Sequence, residues 1–151
     1  GYACSADIDH LTQPSVDGQA RSMGQALADA AIDPGAVGYI NAHGTATKLN
    51  DVVETQAIKR VFGQHAQDLA ISSTKSMVGH LVGAAGAMGL LMCVKALATA
   101  HVPPTANLSH PDPECDLDYV PDAGRSSPGL RVAIGNAFGF GGTAATLVVV
   151  K

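Results

Sequence analysis

Two histidines, a lysine and a glutamate are the residues with which this sequence could do chemistry. His43 opens the polar segment His43-Gly44-Thr45-Ala46-Thr47, and His80 closes Ser72-Ser73-Thr74-Lys75-Ser76-Met77-Val78-Gly79-His80. A third segment, Asn136-Ala137-Phe138-Gly139-Phe140-Gly141-Gly142-Thr143, is rich in glycine. A neutral imidazole donates one N–H to a carbonyl oxygen or to a developing enolate. A single histidine is more often a satisfied structural group, but a pair, with Lys75 five residues before one of them, favours catalysis. Neither histidine has a carboxylate or cysteine near it at a ligand spacing, which discounts a metal site. For Glu54 the spacing leaves two readings level: Asp51-Val52-Val53-Glu54 fits a capping box, and the carboxylate also suits a site. The Gly139-x-Gly141-Gly142 run superficially matches a phosphate loop, yet strands flank it and no helix follows, so the dinucleotide reading fails. Cys4 precedes no helix start over residues 6–12 that would activate a thiolate and reads as structural, Cys93 as core and Cys115 as a loop residue.

The elements that must position these groups follow from periodicity. Val16, Ala20, Met23, Leu27 and Ala30 form one apolar helical stripe, capped by Ser15 and stopped by Asp33-Pro34-Gly35. Residues 37–42 read as a short buried strand that runs into a Thr-rich loop, 43–50. A second helix follows over about 51–62, with Val53, Ala57 and Val61 inward and Gly63 as the stop. Residues 69–73 form a second strand, and the loop 74–79 leads into an apolar helix over 81–99 that reads as buried. His80 sits just before that helix, whose positive end would keep its ring neutral. Lys75, between a buried strand and a glycine-led helix, reads as buried and paired. Residues 101–128 hold six of the eight prolines and form an irregular excursion, with an extended piece at 117–120. Residues 130–135, a glycine-rich turn and 144–150 close the chain as an antiparallel pair. Helix and strand alternate before that, which predicts an α/β layer structure with a largely parallel sheet. In such a sheet the functional loops gather beyond the carboxyl ends of the strands, so all three motifs reach one rim.

Composition limits the function classes. The chain has 151 residues, a formal charge of -4, 46% apolar and 15% charged residues, which excludes intrinsic disorder and a nucleic-acid binder's basic footprint. Three cysteines without a C-x-x-C motif point to a reducing cytosol. The apolar run 81–94 is too short for a membrane span. The sequence opens Gly-Tyr-Ala-Cys, with neither an initiator Met nor a visible leader, which suggests a piece of a longer protein.

At the three motifs the sequence resembles the β-ketoacyl-acyl carrier protein synthases, the condensing enzymes of the bacterial KAS II type above all. YINAHGTAT at 39–47 resembles their first histidine motif, SSTKSMVGH at 72–80 their lysine and second histidine motif, and NAFGFGGT at 136–143 their gate loop. VPPTANL at 102–108 and CDLDYVP at 115–121 fit as well, so the match covers nearly the whole chain in the family's order. The resemblance implies a thiolase-like α/β fold, with a mixed, mostly parallel sheet packed by helices, in which two similar halves share five layers. Residues 1–151 would be the carboxyl-terminal half, and 1–5 the tail of the preceding half's last strand. The implied reaction moves an acyl group from carrier-protein pantetheine to a cysteine, then condenses it with malonyl-carrier protein as carbon dioxide leaves. That cysteine belongs to the amino-terminal half, so this chain alone is expected to be inactive.

Residue by residue, the resemblance matches His43 and His80 to the histidine pair that supports decarboxylation and stabilises the enolate or oxyanion. Lys75 matches the lysine that orders the pair, and Glu54 an acidic residue near it. Thr45, Thr47 and Thr12 match hydroxyls that hold the pantetheine arm. Phe140 matches the gating phenylalanine, whose backbone N–H joins the oxyanion hole, and Phe138 and Gly141 accompany it on the substrate side. No cofactor is implied beyond the carrier's phosphopantetheine. The implied partners are acyl carrier protein, the amino-terminal half and a second copy of the full-length enzyme in a cytoplasmic homodimer, with no nucleic acid and no membrane. Lys59-Arg60 is a candidate docking patch for the acidic carrier. Gly89 stands where many relatives carry a glutamate that pairs with the lysine, Ala144 replaces an asparagine, and Lys48 and Asn50 replace a proline and a glycine. These departures lean toward a specialised, nodulation- or polyketide-type synthase. A non-catalytic chain-length-factor-like subunit is the alternative, though such proteins often lose the catalytic histidines. A degradative thiolase would need a second cysteine near the carboxyl terminus, and none follows Cys115.

Overall fold

Alternate residues of the short strands sort onto two faces of one sheet, and helices cover both. A computed structural model describes residues 2–4, as backbone alone, and residues 12–151. In chain order it contains β1 (Tyr2–Cys4), α1 (Val16–Asp29), β2 (Tyr39–Asn41), α2 (Asn50–Phe62), β3 (Ala70–Ser72), the single turn α3 (Lys75–Val78), α4 (Ala85–Thr99), β4 (His101–Val102), β5 (Arg125–Ser126), β6 (Val132–Phe138) and β7 (Thr143–Val150). The main sheet has the order β1-β7-β6-β2-β3, and β4 and β5 form a separate small ribbon. β2 is parallel to β3 and β6, β7 is antiparallel to β6, and β1 is antiparallel to β7. Of the five strands only β7 therefore runs against the rest, the mixed, mostly parallel sheet that the sequence implied. The readings that rest on residues 6–11 and on the Cys4 side chain lie outside the described residues.

The period of two is visible in the packing. Ile40, Ile71 and Ile134 point to one face and meet Met23 and Leu27 of α1 and Ile58 and Phe62 of α2. Tyr39, Ala70 and Ala133 point to the other and meet Cys93, Ala96 and Leu97 of α4. Gly89 lets α4 lie close to β2: a Cβ there would come within 2.9 Å of the Asn41 Oδ1. The glutamate expected at that position would have no room in this packing.

Several boundaries differ from expectation for identifiable reasons. Ser15 does cap α1, accepting the Gly18 N–H at 3.2 Å. The helix nevertheless ends at Asp29, before Asp33-Pro34-Gly35. Ala31 turns left-handed (φ 52), and Ile32 N–H bonds Leu27 O at 3.0 Å while Ala31 N–H bonds Ala28 O at 3.0 Å. This pair of bonds is a Schellman motif, with alanine where glycine is usual. Asp33 instead caps the next 3-10 turn, Pro34–Ala36, through the Gly35 N–H at 2.7 Å. In α2 the buried face is Glu54, Ala57, Ile58 and Phe62, whereas Val53 and Val61 are only half-buried. The helix is thus rotated so that a carboxylate faces inward.

The apolar segment after His80 is not a buried helix. A 3-10 turn, Val82–Ala84, precedes α4, and only Gly89, Cys93, Ala96 and Leu97 of α4 are buried. Leu91 and Val94 stay exposed. By length and composition residues 82–99 suffice to cross a membrane, with a mean hydropathy of 1.6, but here they lie along the sheet. Residues 117–120 form no strand; the Asp118 carbonyl accepts the Ile71 N–H at 2.9 Å and so covers part of the outer edge of β3. β6 is longer than expected and includes Asn136 and Phe138, which the sequence placed in the glycine-rich turn.

Alanine in the left-handed region carries a steric cost that glycine does not. Ala31→Gly should therefore stabilise the protein by about 1 kcal/mol, read as a raised midpoint in urea unfolding with an unchanged m-value. No change, or a loss, would contradict the strain at this turn.

Candidate active site

The loops after β2, β3 and β6 leave the same edge of the sheet, and a buried carboxylate joins two of them. Glu54 projects from α2 and is 3% exposed. Its Oε1 accepts the His43 N–H at 2.9 Å and the Asn136 Nδ2–H at 3.1 Å. Its Oε2 accepts the Gly44 N–H at 2.9 Å and the Asn50 Nδ2–H at 3.4 Å. The capping-box reading is thereby overturned, because the main-chain N–H groups that the carboxylate accepts come from the β2 loop, and its own helix start contributes only the Asn50 side chain. Burial pushes the Glu54 pKa up, while the N–H groups of Gly44 and His43 and the Asn136 amide hold it down. All four neighbours donate, so the ionised form satisfies each of them and a protonated form would not.

Glycine is required at position 44. Its φ is +38, and a Cβ would come within 2.5 Å of the Ser73 Cβ. Ser73 Oγ–H closes the contact on the Gly44 carbonyl at 2.6 Å, tying the β3 loop to the β2 loop. The other left-handed residue in the loop is Ala46 (φ 57). Asn50, which replaces a glycine of the relatives, begins α2 and supplies one of the donors to Glu54.

Lys75, on α3, donates from its Nζ to the His43 carbonyl. The peptide groups on either side of His43 thus lie between an ammonium and a carboxylate. Burial lowers the Lys75 pKa, while the Glu54 and Asp51 carboxylates raise it. His43 itself is 8% exposed. Its pKa is pulled from the ordinary 6.5 to about 3, first by burial and then by the nearby Lys75 and His80.

The two imidazoles meet edge to face, with centroids 5.8 Å apart, and the Phe138 ring lies 5.6 Å from His43. The His43 Nδ1 accepts the Phe138 N–H at 3.3 Å, and the His80 Nδ1 accepts the Val82 N–H at 3.0 Å. Each ring therefore carries its proton on Nε2, the tautomer in which Nε2–H is the free donor. His80 is not at the start of α4, as expected; Leu81 and the 3-10 turn intervene, and the Val82 amide supplies the neutral-ring constraint. Val82 adopts φ 48 here, a costly conformation for a β-branched residue.

A cavity of about 810 Å³ opens over the pair. His43, His80, Val82, Phe138, Gly139 and Phe140 line it, with the hydroxyls of Thr12, Thr45 and Thr47 on its walls. Gly141 is not on its wall and serves the turn Phe140–Gly142. Phe140 is 74% exposed, its ring free at the mouth. A smaller cavity of about 290 Å³ shares Thr47 and Lys48 but neither His43 nor His80. Among the described residues no cluster of three or more His, Cys, Asp or Glu side chains suits a metal ion. Cys93 is buried, as expected, and burial pushes its thiol up to about 12. Burial also raises the Cys115 thiol. Neither suits a nucleophile.

Lys59 and Arg60 do not form a free basic patch, because Asp116 and Asp17 neutralise them. Sequence reasoning treated Asn41 and Asn136 only as parts of motifs and Asn50 only as a replacement for a glycine, and gave none of them a bonding role. Asn41 Nδ2 donates to the Tyr39 hydroxyl at 2.9 Å and to Thr74 Oγ1 at 3.2 Å. A polar side chain within an apolar strand was the available signal for Asn41 and Asn136.

Comparison with known proteins agrees with this geometry. Residues 1–109 match the model of the β-ketoacyl synthase C-terminal domain. The chain is 51% identical to the 3-oxoacyl-[acyl-carrier-protein] synthase 2 of Synechocystis sp., over 100% of this chain and 36% of the relative. It is 52% identical to nodulation protein E of Rhizobium meliloti, over 97% of this chain and 36% of the relative. Among solved structures, a type II polyketide ketosynthase in complex with its acyl-carrier protein, AntDE:AntF, superposes with a TM-score of 0.90 at 40% identity, over 100% of this chain and 37% of that one. The fold is thus the carboxyl-terminal part of a thiolase-like condensing enzyme. The chain belongs to the β-ketoacyl synthase family, and it spans about a third of the length of the relatives it matches.

The depressed His43 pKa has a measurable sign. Between pH 6.5 and about 3 the unfolded chain holds a proton on His43 that the folded chain lacks. Stability contributed by the neutral ring is therefore present above pH 6.5 and lost as pH falls, by up to about 1.4 kcal/mol per pH unit. Urea unfolding at pH 7, 6 and 5 should show a shallower acid loss in His43→Gln than in wild type; parallel slopes would contradict the neutral buried ring.

Proposed function

We propose that this chain is the carboxyl-terminal half of a 3-oxoacyl-acyl carrier protein synthase that condenses an enzyme-bound acyl thioester with malonyl-carrier protein in fatty acid or polyketide-type synthesis. The observation that carries this reading is the imidazole pair, each Nδ1 occupied by a main-chain N–H and each Nε2–H left as a donor. Two neutral donors suit an oxygen that gains negative charge during the reaction. In the decarboxylation step the malonyl C–C bond breaks, carbon dioxide departs, and the electron pair moves into an enolate whose oxygen the two N–H groups stabilise. The enolate carbon then attacks the acyl thioester, a C–C bond forms, the C–S bond breaks, and the thiolate is released. Phe138 and Phe140 restrict water at the cavity, Phe140 as a gate, and its N–H contributes to the hole for the acyl oxyanion. Lys75 and Glu54 act as positioning residues through the His43 main chain.

The nucleophilic cysteine comes from the amino-terminal half. Cys93 is too deeply buried for the role, and Cys115 borders the smaller cavity away from both imidazoles. The exposed apolar side chains of α4, Leu91 and Val94, form the surface on which that half packs. In this reading the full-length enzyme is a cytoplasmic homodimer, and its substrates bring the only prosthetic group it needs, the carrier's phosphopantetheine. Thr12, Thr45 and Thr47 hold that arm.

Two measurements test the reading. In the full-length enzyme, His80→Ala should lower malonyl decarboxylation by about 10²–10³-fold while retaining most acyl transfer to cysteine; equal loss of both half-reactions would overturn the assignment. Residues 1–151 supplied with acyl- and malonyl-carrier protein should form no β-ketoacyl product, and product from them would place the nucleophile within this chain.

A further inference from the structure

The threonine-lined wall of the larger cavity ends on a positive charge. Lys48 lines that cavity next to Thr47, is exposed, and forms no hydrogen bond or ion pair with any described residue. The other cations near the site are already engaged: Lys75 by the His43 carbonyl, and Lys59 and Arg60 by carboxylates. Lys48 also borders the smaller cavity with Asp51, yet no ion pair joins the two. Among the described residues no carboxylate lines the larger cavity, and Lys48 is the one ammonium or guanidinium group in its lining.

Burial orders this wall by depth. His43 is buried, Thr45 half-buried, and Thr47 and Lys48 exposed. A substrate with its thioester at the imidazoles sets its amide- and hydroxyl-bearing stretch against Thr45 and Thr47, and its outermost group against Lys48. On the condensing reading, on which this inference rests, that outermost group is a phosphate. We propose that Lys48 binds the phosphate that links pantetheine to its carrier, and so adds a charge-reading subsite to the mouth of the arm's channel. An ammonium on a flexible stem binds phosphate as a point charge. The positive end of α2, a helix of 13 residues that begins two positions later, adds to the local potential.

The experiment uses the full-length enzyme and two carrier-free substrates, malonyl-pantetheine and malonyl-4′-phosphopantetheine, which differ only in the phosphate. Wild type should prefer the phosphorylated substrate, and Lys48→Met should lower the ratio of the two kcat/KM values about tenfold, through KM, with Lys48→Arg restoring it. A ratio that is the same in wild type and Lys48→Met overturns the proposal. So does a Lys48→Met defect confined to carrier-bound substrate, which would assign the lysine to carboxylates of the carrier protein. Should wild type condense neither substrate nor malonyl-carrier protein, the condensing reading falls, and the phosphate subsite with it.

Discussion

The Glu54 carboxylate is the constraint on which the rest of the site depends. A buried carboxylate without partners would cost several kcal/mol, and hydrogen bonds to a charged group each return about 1.5–3 kcal/mol. Here the donors come from the β2 loop, from the first residue of α2 and from β6. The network does not stop there. Asn136 Oδ1 accepts from the Thr146 hydroxyl at 2.9 Å, and Thr146 accepts from Ser22 at 3.1 Å, so the chain of bonds reaches β7 and α1. A single ionised group thereby sets the position of the His43 backbone relative to four other elements, and Lys75 holds the opposite face of the same residue.

Much of this was legible in the residue pattern, and the failures have physical causes. Short buried stretches at 37–42 and 69–73 marked strands, and the polar runs beyond them marked the rim where His43, Lys75 and His80 converge. Glu54 stayed ambiguous because a capping box and an inward carboxylate use the same spacing; only the rotation of α2 about its axis separates them. The Lys59-Arg60 pair looked free because Asp17 and Asp116 are distant in sequence. Ala31 shows a local rule overridden, since α1 stops at a residue type that does not favour the left-handed turn.

The apolar segment after His80 illustrates another limit. Hydrophobicity predicts that a surface will be covered, not which chain segment covers it. Gly89 and Cys93 meet this domain's sheet, whereas Leu91 and Val94 on the same helix do not. A helix that is apolar on both sides leaves one face uncovered by its own sheet, and the relatives of this chain are nearly three times as long.

The main-chain amides of Phe138 and Val82 have a consequence for how such a site withstands sequence drift. Both decide where an imidazole proton resides, and neither decision is made by a side chain. Replacing the phenyl or isopropyl group changes the shape of the cavity but leaves the amide that selects the tautomer. The pocket can therefore be re-contoured by ordinary point mutation, while the protonation pattern is inherited with the backbone.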